Sequence, residues 1–373
     1  MPDRTQSRTV VIIGSRGYPS YYGGFETAVR KLAPYLAARD WNVVVYGRPG
    51  ATLPDDPNRD SRVESRTTRG IESKALSTLS FGFTSVVDAA RFRPDVALVV
   101  NVANGFWLPL LRFRHIPTLV NVDGMEWDRS KWGRVAKLIF RVGGRITAWV
   151  GDRLVYDSVE IARRWKQQFG TDGVFIPYGG DVPADLPVAE GLSHRGYALV
   201  VARFVPENSI GEFIEAADDI ARTHDVIIVG SSGYGGALED AVEALAANTP
   251  RVRWIGHVAD DAKLQALWVH AGVYFHGHSV GGTNPALVQA MACGAPIVAR
   301  DTVYNREVLA SGGLFVQPEP RAIARALREV LSDPVKQEEL SRAARERFTA
   351  KYSWDEVCAS YERALLRLID GRK

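Results

Sequence analysis

Cysteine is almost missing from this 373-residue chain, which has only Cys293 and Cys358, and methionine is nearly as scarce, at three. Two thiols exclude a disulfide framework and a cysteine-rich metal centre. Cys293, inside a helical pattern, reads as a small buried apolar side chain. No apolar run approaches the roughly 18 residues that a bilayer-spanning helix needs. The opening Met1-Pro2-Asp3-Arg4-Thr5-Gln6 lacks the basic-then-apolar layout of a secretory signal, so the expected location is the cytoplasm. A dinucleotide fingerprint is absent too. Glycines after the first apolar run fall at 14, 17, 23 and 24 rather than in G-x-G-x-x-G, and the second run closes with Tyr46-Gly47-Arg48, with no acid to hold a ribose. Both departures exclude a nicotinamide cofactor.

What is present is a soluble composition, 46% apolar and 24% charged, in a chain long enough for two ordinary domains. The net charge of +3 hides an asymmetry. Residues 1–150 hold 22 Lys/Arg against 13 Asp/Glu, or +9, so residues 151–373 carry −6. No nucleic-acid-binding module or basic-aromatic repeat accompanies the basic half, and nucleic acid is not an expected partner. An anionic membrane surface fits better.

Along the chain, short continuous apolar runs alternate with helical patterns. Val10–Gly14, Trp41–Tyr46, Pro94–Val100, Pro117–Val122, Leu154–Ser158 and Gly173–Pro177 read as buried parallel strands, with helices near 25–38 and 74–92. Residues 49–70, polar and rich in Pro, Asp and Arg, read as a mobile surface excursion. From Ser130 to Val150 a helix carries two stripes: Val135, Ile139, Val142, Ile146 and Trp149 on one face, Arg134, Lys137, Arg141 and Arg145 on the next. It is either a core-packed helix with a solvated basic face or a surface that rests on anionic lipid, where each cation is worth ~1 kcal/mol. Lys131, Trp132, Arg163, Arg164, Trp165 and Lys166 add basic-aromatic flanks. After a Gly/Pro/Asp-rich linker at 178–194, a second series runs through Tyr197–Ala202, Val226–Gly230, Val252–Gly256, Val273–Phe275 and Pro296–Ala299. The expected fold is α/β, two doubly wound Rossmann-like domains facing across a cleft: 1–180, then 195–350, with a final helix in 354–373 packing back on the first.

The most informative stretch is His276–Pro296. It reads as a strand end, the flexible pair Gly281-Gly282, then a short helix capped by Asn284, opened by Pro285 and stopped by Gly294 and Pro296. Unpaired N–H groups and the positive end of a helix dipole gather there, which suits a phosphate or diphosphate.

This stretch resembles the donor-binding motif of family 4 glycosyltransferases, and Gly281-Gly282-Thr283-Asn284-Pro285 is similar to the bacterial rhamnosyltransferase branch. Gly14-Ser15-Arg16-Gly17 with Tyr22-Gly23-Gly24-Phe25-Glu26, Asn121–Trp127 and Val201–Asn208 extend the likeness over most of the chain. The resemblance implies the GT-B architecture and a set of roles. Arg203 would hold the donor diphosphate, and Gly23, Gly24, His278, Ser279, Gly281, Gly282, Thr283, Asn284 and Gln289 would contact the donor. Asp123, where many members have a histidine, and Glu126 would orient the acceptor hydroxyl, or simply cap the following turn. Arg16, Tyr22 and Trp127 would meet the acceptor, Trp127 as an apolar platform for a sugar ring. Two departures stand out: Asn208 replaces a lysine, and Gly281 and Gln289 occupy the positions of a Glu pair. Gln289 retains the capacity to bond a ribose hydroxyl.

The activity implied is retaining transfer of L-rhamnose from dTDP-L-rhamnose to a saccharide on a polyprenyl diphosphate, as in bacterial surface-polysaccharide assembly. The rivals are a nucleotide-sugar epimerase and a catalytically silent nucleotide-sugar binder. No cofactor or metal is expected: Asp-x-Asp occurs nowhere, and an arginine with a helix N-terminus can serve as the charge sink.

Overall fold

The computed structural model describes residues 7–21, 23–53, 55–72, 76–128, 133–233, 235–258 and 260–371. The chain divides into two compact units: Met1–Pro177 with Trp354–Lys373, and Tyr178–Ser353.

In the first unit the order is β1 (Thr9–Ile13), α1 (Gly24–Ala37), β2 (Asn42–Gly47), β3 (Val63–Thr67), α2 (Ser77–Phe92), β4 (Val96–Val100), α3 (Leu108–Phe113), β5 (Thr118–Asn121), α4 (Arg134–Val150), β6 (Arg153–Tyr156), α5 (Val159–Phe169) and β7 (Gly173–Phe175). The strands form one parallel sheet, ordered β3-β2-β1-β4-β5-β6-β7. Every residue of β4 is buried, as is Val10–Ile13 of β1, so these strands show no polar alternation.

The expectation for 49–70 needs correction, because Val63–Thr67 is a strand paired in parallel with β2. At a sheet edge one buried valine is enough. Val63 faces the core, while Glu64 and Arg66 bond each other and Arg66 reaches Asp88 on α2. Charged side chains also protect an edge from further pairing.

The second unit runs β8 (Tyr197–Val201), α6 (Ile210–Ile220), β9 (Asp225–Val229), α7 (Ala237–Asn248), β10 (Val252–Gly256), α8 (Asp261–His270), β11 (Val273–His276), α9 (Pro285–Ala292), β12 (Ile297–Arg300), α10 (Val303–Leu309), β13 (Leu314–Val316), α11 (Pro320–Leu331) and α12 (Pro334–Lys351). Its six parallel strands are ordered β10-β9-β8-β11-β12-β13. Successive side chains enter opposite cores. Tyr197, Leu199, Ile227 and Tyr274 pack into one, Ala198, Val200, Ile228 and Phe275 into the other.

The last helix, α13 (Trp354–Asp370), belongs to the first unit. There Glu362 accepts a hydrogen bond from the Trp41 indole, and Tyr361 Oη accepts one from Asn121 at the end of β5.

Helix α4 seats itself by its small residues. Gly143, Gly144 and Thr147 are its buried positions, against the 3-10 turn Val102–Trp107 and Trp127. A Cβ on Gly143 would lie 2.7 Å from the Val102 carbonyl oxygen, so backbone meets backbone. The apolar stripe therefore points outward. Val135, Leu138, Val142 and Trp149 are exposed, and Ile139 is more than one-third so.

Candidate donor and acceptor sites

In the second unit, strand order reverses between β8 and β11, which pair directly. In a doubly wound sheet, ligands bind outside the carboxyl ends of the strands at such a reversal. Arg203 follows β8 there, and the His276–Gly282 segment follows β11. Gly281 adopts φ +104° with open space around its Cα, a conformation that favours glycine. Asn284 caps α9, its side chain accepting from the Ala286 N–H at 2.9 Å, and Pro285 occupies the first turn. The capped, glycine-led helix start read from the sequence is present.

Arg203 is exposed and carries no ion pair among the described residues. Its carbonyl accepts from Asn208 Nδ2 at 2.8 Å. The residue standing where a lysine was expected is thus buried and locks the turn that carries Arg203.

Several predicted donor contacts have structural partners. Ser279 donates both its N–H and its hydroxyl to the Glu207 carbonyl, each at 2.9 Å, tying the two switch-point loops together. Thr283 is buried, and Gly282 is half-buried. His278 is half-buried and stacks on His276, ring centroids 4.6 Å apart and nearly parallel. His276 itself is buried, its Nδ1 3.0 Å from Tyr274 Oη, and burial, with His278 beside it, holds its pKa well below the ordinary imidazole value.

Gln289 has a role that the sequence reading did not assign. Its Nε2 donates to the Asp181 carbonyl at 2.8 Å and its Oε1 accepts the Asp181 N–H at 3.0 Å. Both ends of the amide clasp the main chain of Asp181, a positioning role beside the ribose contact expected of it. Burial pushes the nearby Cys293 thiol up to about 12, consistent with an inert packing role.

Sequence reasoning missed Arg300 and Asn305. Arg300, at the end of β12, donates to Ser209 Oγ at 2.9 Å, and that hydroxyl donates to the Gly277 carbonyl at 3.0 Å. Asn305 donates to the carbonyls of His278 and Arg300. An arginine closing the apolar run Ile297-Val298-Ala299 was the available signal.

In the first unit the β1–α1 connection carries Arg16, half-buried, whose N–H donates to Glu26 Oε1 at 2.9 Å. Gly23 caps α1 and Gly24 begins it. Tyr22 lies outside the described residues, as do Lys131 and Trp132. At the end of β5, Asn121 Oδ1 accepts the Asp123 N–H at 3.0 Å, and Asp123 sits at φ +60°. A non-glycine residue there is strained, and such residues concentrate at functional sites. Asp123 is half-buried, whereas Glu126 is buried.

Trp127 corrects another expectation. It is only 2% exposed, with ring centroids 6.0 Å from Trp165 and 5.8 Å from Phe169. Sealed in an aromatic cluster under α4, it offers no face to a sugar. The α5 flanks are likewise engaged: Trp165 is fully buried, Arg163 pairs with Glu160, Arg164 with Asp128 and Lys166 with Asp172. Among the described residues no cluster of three His, Cys, Asp or Glu side chains is placed to hold a metal ion.

Residues 23–179 match the description "Glycosyl transferase 4-like domain" and residues 189–347 "Glycosyl transferases group 1". The phosphatidyl-myo-inositol mannosyltransferase of Mycobacterium tuberculosis is 30% identical over 91% of this chain and 92% of its own. The chain belongs to the family 4 glycosyltransferases. The glycogen synthase of the same organism is 26% identical over 95% of this chain and 94% of its own. Among solved structures, sucrose-phosphate synthase from Thermosynechococcus elongatus superposes with a TM-score of 0.79 at 20% identity, over 98% of this chain and 100% of that one. Anabaena HepE in complex with UDP superposes at 0.73 with 16% identity, over 96% and 99%. The fold is GT-B, two Rossmann-like domains, and this family 4 member is a glycosyltransferase.

Proposed function

We propose that this glycosyltransferase moves L-rhamnose from dTDP-L-rhamnose to a saccharide on a polyprenyl diphosphate, with retention of configuration and without a metal ion. One observation carries the site: exposed Arg203 and the capped, glycine-led start of α9 follow adjacent strands at the switch point of the second unit. Backbone N–H groups, a helix dipole and a guanidinium supply the charge sink that a departing nucleoside diphosphate requires. The rhamnosyl assignment rests on the resemblance of Gly281–Pro285 to that branch.

His278, Asn284 and the Gly281-Gly282 backbone face the donor in this reading, with Ser279 and Thr283 holding the loop that presents them. Gly23, Gly24 and Arg16 serve from the β1–α1 connection, and Asp123, with Glu126 behind it, orients the acceptor hydroxyl. A lipid-borne acceptor accords with the basic stripe Arg134, Lys137, Arg141 and Arg145, which we assign to an anionic membrane surface. That places the protein peripherally, at the cytoplasmic face. No helix among the described residues is long and apolar enough to cross a membrane.

Mannosyl transfer is the second reading, favoured by the mycobacterial mannosyltransferase relatives. Calorimetry with dTDP-rhamnose, GDP-mannose and UDP-glucose separates the two, with tightest binding of the dTDP sugar expected. Arg203→Ala is expected to weaken donor binding by ~1.5–3 kcal/mol, the loss of one charge-assisted hydrogen bond, and to lower turnover further because charge grows on the leaving group. Native kinetics in that variant would remove Arg203 from the site.

A further inference from the structure

A pocket of about 360 Å³ opens between α4 and α5, lined by Leu138, Arg141, Val142, Arg145 and Trp149 of the first and Gln168 and Phe169 of the second. The apolar members on α4 are not core residues. Leu138 is 62% exposed, Val142 42% and Trp149 70%. Exposed side chains of this size in one contiguous row mark an interaction surface rather than scattered surface apolarity.

Among the described residues the charge beside them is uncompensated. On α5 each cation has a carboxylate partner, Arg163 with Glu160, Arg164 with Asp128 and Lys166 with Asp172. On α4, Arg134, Lys137 and Arg141 make no ion pair among the described residues, and Arg145 lies 5.2 Å from the Trp149 ring centroid. At helical spacing the cations and the apolar row occupy adjacent arcs of one exposed surface, because the opposite arc is taken by Gly143, Gly144 and Thr147. A helix with an outward apolar band, a basic flank and an indole between them is built to lie in the plane of a lipid interface, its cations at phosphate level and its apolar side chains among the upper acyl carbons.

We propose that this pocket receives the phosphate headgroup of one anionic glycerophospholipid, held by Arg141 and Arg145, while Leu138, Val142 and Trp149 enter the acyl boundary of the same bilayer. The inference deepens the membrane reading above: the contact is insertion with a seated headgroup, not charge attraction alone. It does not depend on which sugar is transferred.

The test uses the full chain and phosphatidylcholine vesicles with and without about one-third phosphatidylglycerol. Native protein is expected to co-sediment with the anionic vesicles and to retain a bound fraction when salt shortens the Debye length to about 3 Å. Leu138→Gln/Val142→Gln, which keeps every charge, and Arg141→Gln/Arg145→Gln are each expected to lower vesicle affinity about tenfold or more without lowering Tm, since all four side chains line an open surface. Affinity within twofold of native for the Leu138/Val142 variant, with full release by salt, would overturn the insertion while leaving the electrostatic reading intact. Equal affinity for glycerol phosphate in solution would make the pocket a free-phosphate site, and self-association through α4 without vesicle binding would make the row a protein contact; either result contradicts the proposal. Independent of any substitution, tryptophan emission of the native protein is expected to be quenched by phosphatidylglycerol brominated high on its acyl chains. Absence of quenching in vesicle-bound protein would sink the idea.

Discussion

Burial holds the His276 imidazole neutral at the end of β11, beside Tyr274 and under His278. The unfolded chain protonates this histidine near pH 6.5 while the folded one does not, so its contribution to stability is present above that pH and is lost as pH falls. Lowering the pH from about 7.5 to about 5.5 therefore costs the folded state stability at this residue. Urea titrations at about pH 7.5 and about pH 5.5 are expected to show His276→Gln losing less stability than the native protein as pH falls, and equal losses would contradict a buried neutral imidazole. The residue scale is also where the sequence was hardest to read. Asn284 and Pro285 were legible because capping depends on local spacing. Gln289 was not, because its partner, the Asp181 main chain, is 108 residues away. Nor did the ring of Trp127 announce that α5 and α4 would close over it.

At the scale of elements, the buried strands were readable because parallel sheets covered on both faces demand unbroken apolar runs, as in Val96–Val100 and Tyr197–Val201. Two of the four edge strands escaped, β3, which buries only Val63, and β13, where no residue is fully buried, whereas the edge strands β7 and β10 were read from the sequence. Periodicity located α4 and both of its stripes, yet it could not say which stripe faced in. The decision lay with glycines, since only small residues let the helix backbone rest on Val102–Trp107. Gly143→Val is therefore expected to destabilise the protein by about 1–3 kcal/mol, because the Val102 carbonyl cannot move aside as a flexible side chain would. Val135→Ser on the outward face is expected to stay within about 0.5 kcal/mol of native. Thermal unfolding of both variants checks the orientation, and a reversed ranking would contradict it.

For the whole molecule, the basic half and the acidic half would divide labour in the proposed reaction: cations of the first unit would meet an anionic surface, and exposed Arg203 with the start of α9 in the second would meet the diphosphate. The most direct measurement supplies purified full-length protein with sugar-labelled dTDP-rhamnose, GDP-mannose or UDP-glucose, together with bacterial membranes bearing polyprenyl-diphosphate saccharides, in the presence of a metal chelator. Label is expected to pass from dTDP-rhamnose into the lipid fraction, with one dTDP released for each sugar moved, at a rate that the chelator leaves unchanged. Donor bound without product, or donor converted to another nucleotide sugar with the acceptor untouched, would contradict the proposed transfer.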